Sequence, residues 1–139
     1  QTGLESSEYI KCIVNEINPC CVITIDALAS RSVKRLGTTI QMSDTGIAPG
    51  SGINNKRKRI DEEFLGVPVI AIGVPTVVDA LTLAESIYGK ADEPQTVVDM
   101  IVTPKDIDMI IKNSSSLLAT AINLSLQKSL NQDELTALL

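Results

Sequence analysis

Apolar positions recur at Ile10, Ile13, Val14 and Ile17, the spacing of one face of a helix. With Ser6 as N-cap and Glu8 in the first turn, the pattern predicts an amphipathic helix over Ser6–Ile17, stopped by Asn18-Pro19. The pattern then changes. Cys20–Ile25 is a continuous apolar, β-branched run broken only by Thr24 and closed by the carboxylate of Asp26, as in a strand buried on both faces. Thr38–Met42 is a second, shorter β-prone run ending at Ser43-Asp44, and the glycines and proline of Thr45–Asn55 make a loop. Val67–Val74 reads as another strand buried on both faces. Pro75 and Thr76 are expected to turn it into a helix, with Thr76-x-x-Asp79 resembling a capping box. Tyr88–Gln95 is polar and loop-like. Thr103-Pro104-x-Asp106 opens a long helix whose apolar face is Ile107, Ile110, Ile111, Leu118, Ala121 and Ile122, and Asn131–Leu139 has helical propensity. There is no internal repeat. The order helix, strand, strand, strand, helix, with apolar strands of the parallel type, predicts an α/β sheet sandwiched between helices, with active groups beyond the carboxyl ends of its strands.

The 139 residues, 44% of them hydrophobic, are enough for one domain with a core, and no apolar run reaches membrane-spanning length. A net charge of −5 argues against nucleic acid as the main partner, and 2% aromatic residues (Phe64, Tyr9, Tyr88) leave no base-stacking platform. The chain opens Gln-Thr-Gly with a helix almost at once, and these residues are expected to be the middle of a fold rather than a signal peptide or the start of a fold. Cys12, Cys20 and Cys21 have no framework spacing and are expected to be reduced core thiols in a cytoplasmic protein. There is no histidine, so neither a Ser-His-Asp nor a Cys-His site fits within these residues. Acid–base chemistry falls to carboxylates, lysines, cysteines or tyrosines.

Asp26, between two apolar runs at the expected end of a strand, is partly desolvated and is the leading catalytic candidate; capping the next helix or pairing with Arg31 would equally explain it. Asp44-Thr45-Gly46 repeats the tripeptide of aspartic proteases. Those enzymes are all-β, so here Asp44 reads more simply as a turn carboxylate bonding nearby backbone N–H groups. Pro49-Gly50-Ser51-Gly52 lacks the Lys-Ser ending of a phosphate loop, and Lys56–Arg59 beside Asp61–Glu63 reads as a solvated, partly neutralised surface.

Several motifs occur together and in order: Ile25-Asp26-Ala27-Leu28-Ala29-Ser30-Arg31-Ser32, Thr38-Thr39-Ile40-Gln41-Met42-Ser43-Asp44-Thr45-Gly46-Ile47, Pro49-Gly50-Ser51-Gly52, Asn55-Lys56-Arg57-Lys58, and Leu65-Gly66-Val67-Pro68 running on through Gly73-Val74-Pro75-Thr76 to Ala80. In these the chain resembles the germination protease (spore endopeptidase) family from about Gln1 to Leu81, and again, less closely, from Met100 to Leu126. The resemblance implies an α/β, three-layer α-β-α fold with a mostly parallel sheet, related to the hydrogenase maturation proteases. Of this fold the chain is a partial copy: a core over 1–81, a linker over 82–99 and C-terminal helices over 100–139. It also implies an endopeptidase of the spore core cytoplasm, made as a zymogen and assembled as a homo-tetramer, that degrades small acid-soluble spore proteins during germination. Its mechanism is of an unusual aspartic type with two aspartates; Asp26 falls on the second, and the first belongs to a segment upstream of Gln1. Asp44, Arg31 and Lys56 are the candidate supporting residues, and no cofactor, metal, nucleic acid or membrane is expected. The chain departs from the family at Ala48, where histidine is common, and in the short Leu83–Val98 stretch. Two alternatives stand beside this reading: a metal-assisted hydrolase with Asp26 and Asp44 as oxygen ligands, and a non-catalytic module assembling through the Pro104–Leu126 helix.

Overall fold

The computed structural model describes residues 5–49, 58–89, 100–127 and 133–134. Their contacts divide into two units, one up to Thr103 and one from Pro104 onward.

The first unit opens with helix α1, Ser6–Ile17. Glu5, not Ser6, holds the N-cap position, and Asn18 ends the helix in the left-handed conformation (φ 46°), its N–H bonded to the Val14 carbonyl at 2.9 Å. Only part of the expected apolar stripe is used. Val14 packs with Ile60, Leu65 and Val69, and Ile10 leans on them, whereas Ile13 and Ile17 remain 41% and 65% exposed. Beside α1 lies the short helix α2, Glu62–Leu65, capped by the Asp61 carboxylate, which accepts the Phe64 N–H at 2.9 Å. Lys11 Nζ donates to the Leu65 carbonyl at its other end, 2.8 Å away, where a cation also complements the helix dipole.

The sheet is built on β1 (Val22–Ser30) and β3 (Val69–Asp79), which pair in parallel from Val22↔Val69 to Ser30↔Val78 with a bulge at Leu28/Ala29. Two short antiparallel strands complete it: β2 (Gln41–Ser43) and β4 (Ile101–Val102), both on β3. The fold of this unit is therefore mixed α/β, with one long parallel pairing and two short antiparallel ones. β3 is the buried strand, closed to solvent from Ala71 to Thr76 and again at Val78. β1 is not buried on both faces as expected: Ile25 is 56% exposed, and no strand among the described residues pairs with its second edge.

Both strands outrun their sequence limits. β1 continues through Asp26 to Ser30, and β3 continues through Pro75 and Thr76 to Asp79. Pro75 is tolerated because its register turns its backbone away from β1, beyond the end of β2. There its carbonyl accepts the Gly37 N–H at 2.7 Å and the missing donor breaks no ladder bond. The following helix, α3 (Ala80–Tyr88), is thus capped by Asp79 rather than Thr76, and it occupies the start of the expected linker. Asp79 Oδ1 accepts from Leu81 N at 2.8 Å and Thr82 N at 3.3 Å. Asp79→Ala should lower stability by about 1 kcal/mol, read as a shift of the urea midpoint at constant slope.

In the second unit, α4 spans Ile107–Leu126 from an N-cap at Asp106 that makes no side-chain bond. Of its expected apolar face, Leu118 is buried, Ile107, Ile110 and Ile122 are half-buried, and Ile111 and Ala121 are exposed. No helix among the described residues is long and apolar enough to cross a membrane.

Candidate active site

Asp26 stands in the middle of β1 rather than at its end, half-buried. The apolar run before it misplaces the strand end because the strand carries its one charge through the centre. Side chains alternate along a strand, so Thr24, Asp26 and Leu28 share one face of the sheet. The register sets Gly73 of β3 opposite Asp26 and Gln41 of β2 opposite Gly73, forming one row across the three strands. Gly73 is needed there: a methyl at its Cα would stand 2.3 Å from Leu28 Cδ1, which covers the glycine. A shallow depression of about 140 Å³ opens beside this row, lined by Leu28, Gln41, Met42, Ser43, Ala71 and Gly73 among others, but Asp26 and Thr24 are not part of its lining.

The Asp26 carboxylate accepts the Ala27 N–H on Oδ1 at 2.9 Å and pairs with no cation among the described residues. Two residues earlier, the Thr24 hydroxyl is buried without a hydrogen-bond partner. Thr24 was legible by counting in twos from Asp26, and Gly73 as a glycine inside a strand. Gln41 gave no signal, since only the register brings it there.

The candidate supporting residues do not gather around Asp26. Arg31 is exposed past the end of β1, where the Ser30 hydroxyl bonds the Ser32 backbone in a tight turn. Asp44 is exposed, and the local turn bond expected of it is made instead by its neighbour: Ser43 Oγ accepts the Thr45 N–H at 3.0 Å. Lys56, with Gly50, Ser51 and Gly52, lies outside the described residues. From the same basic run, Arg59 pairs with Asp61 at 3.2 Å and donates to the Thr45 carbonyl, while Lys58 Nζ lies 4.3 Å from the centre of the Phe64 ring. These cations hold structure. The cysteines correct another expectation: Cys12 and Cys20 are exposed and Cys21 is half-buried, all free. Cys20 and Cys21 precede the first ladder residue and so stay outside the core, and the Cys20 thiol beside it pushes the Cys21 thiol up. Among the described residues no three histidine, cysteine, aspartate or glutamate side chains come together as a metal site.

The geometry offers one half-buried carboxylate on a face of the sheet that it shares with the buried Thr24 hydroxyl, opposite a glycine over which Leu28 packs. Such a group can take or give a proton, and a second carboxylate is required for it to share one. The profile of the germination proteases matches residues 1–88. The chain belongs to the germination protease family. A germination protease of Caldanaerobacter subterraneus subsp. tengcongensis is 45% identical over 170 residues, which takes in 99% of this chain and 52% of that protein. One from Clostridium perfringens is 41% identical over the same length and shares. The Bacillus subtilis germination protease is 63% identical over 83 residues, 60% of this chain and 23% of its own. The chain spans about half the length of the first two relatives. The matched stretches of 170 positions also exceed its 139 residues, so those relatives carry residues within the match that this chain does not.

Proposed function

We propose that the chain is the C-terminal portion of a spore-germination endopeptidase in which Asp26 is one of two aspartates that activate water. The observation that carries this is the placement of Asp26: the single charged residue of β1, on the face it shares with Thr24, opposite Gly73, in the stretch that matches the family. Two carboxylates sharing a proton can divide the work. The ionised one takes a proton from water as it attacks the peptide carbonyl, and the protonated one donates toward the carbonyl oxygen. Small acid-soluble spore proteins are the substrate class we infer, the spore core cytoplasm the location, and a homo-tetramer matured from a zymogen the working form. In the whole enzyme we infer a single three-layer α-β-α domain with a mostly parallel sheet, related to the hydrogenase maturation proteases. Residues 1–139 supply the part of it described above.

With one aspartate of the pair outside these residues, the purified chain should leave a spore protein intact, and mixing in the complementary half should restore cleavage. That restored activity should persist in excess EDTA. Robust cleavage by the 139 residues alone would sink the two-aspartate assignment; loss in EDTA reversed by zinc or calcium would favour metal-bound oxygen ligands at Asp26 and Asp44.

A further inference from the structure

The face of the sheet that carries Asp26 has a second feature, which the two-aspartate chemistry does not use. Thr24, Asp26 and Leu28 of β1 alternate in phase with Ala71 and Gly73 of β3 and with Gln41 and Ser43 of β2, so these residues share one face. The depression of about 140 Å³ lies there, over β3 and β2 rather than over Asp26 itself. Ala71 and Gly73, with a single methyl between them, form its floor. Leu28 is its wall toward β1. It follows Asp26 by two positions on the same face, yet it leans back over Gly73, the residue opposite Asp26. Leu28 thus borders both the row of the carboxylate and the depression. None of the lining residues is charged. The Ser43 hydroxyl is taken up locally, 2.6 Å from the Thr45 hydroxyl and accepting the Thr45 N–H at 3.0 Å. An ionic side chain placed there would lose water without gaining a partner, whereas an apolar one gains burial. An apolar cavity of about 150 Å³ holds one benzene, so the depression has room for one side chain of medium size.

We propose that this depression is the subsite for a substrate residue flanking the scissile bond, that it takes one apolar side chain of about the size of leucine, and that Leu28 and Ala71 set that size. The proposal rests on the reading of Asp26 as a catalytic aspartate. β3 runs about 4.8 Å from β1, and an extended peptide advances about 3.3 Å per residue. A side chain seated over Ala71 and Gly73 therefore brings a neighbouring peptide bond to within about two residues' length of Asp26, where water activated by the carboxylate meets it. Gln41, exposed at the rim, carries an amide that both donates and accepts, which matches the N–H and carbonyl of a peptide backbone.

The test measures kcat/KM of the complete enzyme on a peptide series. Each residue flanking the cleaved bond is in turn glycine, alanine, leucine, phenylalanine or glutamate. At one flanking position leucine should exceed glycine and glutamate by about tenfold or more, the scale on which a hydrophobic pocket discriminates. Leu28→Ala removes the wall and should shift that preference from leucine toward phenylalanine. Ala71→Leu fills the floor and should shift it toward glycine and alanine, again by about tenfold. The glycine peptide is the internal standard for each variant, so a general loss of activity does not pass for a change in selectivity. If Ala71→Leu does not fold, Leu28→Ala decides alone, and if neither folds the parent's series decides. A flat series, or one whose selectivity is the same in parent and variants, overturns the subsite and leaves the peptidase reading intact. Glutamate preferred at both flanking positions does the same. A complete enzyme that cleaves neither the peptides nor a spore protein overturns both.

Discussion

Asp26→Asn in the complete enzyme should lower turnover on a spore protein by about two orders of magnitude or more, with the denaturation midpoint nearly unchanged. The rate loss is the usual scale for removing a general acid or base, because the amide keeps the shape but does not titrate. The stability expectation comes from the contacts. Asp26 is half-buried and its described side-chain bond is the Ala27 N–H to Oδ1, which the amide oxygen of asparagine can accept equally well. Asp44→Asn is the comparison. Asp44 is exposed and the turn around it is bonded by Ser43, so this variant should leave both rate and midpoint close to those of the parent. Measuring turnover and a urea midpoint on both variants separates the roles. An active Asp26→Asn enzyme beside a dead but stable Asp44→Asn one would reverse the assignment.

The largest loss of stability is expected at Gly46, in the tripeptide shared with aspartic proteases. Its φ is +79°, and a Cβ there would fall 2.3 Å from the Ile60 carbonyl oxygen and 2.6 Å from Asp61 Cβ. The glycine lets Ile47 and Ile60 exchange two backbone bonds, of 2.9 and 2.7 Å, and Ile60 is a core residue packed with Val14, Leu65 and Val69. Gly46→Ala combines a left-handed conformation, costing about 1 kcal/mol, with displacement of packed backbone, costing about 1–3 kcal/mol, for a total of about 2–4 kcal/mol. Gly89→Ala is the control: its φ is +85° with nothing within 4 Å of the added methyl, so it should show the conformational part alone. Equal losses at the two glycines in urea unfolding would mean that the contact with Ile60 and Asp61 carries no energy. The Asp-Thr-Gly signature thus owes its glycine to a close backbone crossing, and its aspartate is not engaged in it.

The parts of the fold that sequence made legible are those with a strong period or a strong stop. Helix α1 followed from Ile10 and Val14 at helical spacing and from Asn18-Pro19, and the apolar run at Val67–Val74 marked the buried strand. The ends of the strands were not legible. Asp26 and Pro75 both look like terminators, yet each is accommodated by which way its backbone groups point, and that depends on pairing between residues far apart in the chain. β4 has two residues, too few to show any period. At the site, Asp26 was visible as a carboxylate in an apolar setting. Its row across Gly73 and Gln41 became visible only with the register, and Arg31 was suggested by nearness in sequence that a strand does not convert into nearness in space.

The parallel ladder of β1 and β3 also has a consequence for how the protein is made. It joins residue 22 to residue 69, so β1 leaves the ribosome well before its partner exists. At roughly 5–20 residues per second the wait is on the order of seconds, during which the nascent chain presents an apolar, β-branched segment to its neighbours. Asp26 divides that segment in two, and a charge in the middle of an aggregation-prone window acts as a gatekeeper. The carboxylate proposed for catalysis is thereby also the one charge that separates the apolar halves of β1 until β3 is synthesised.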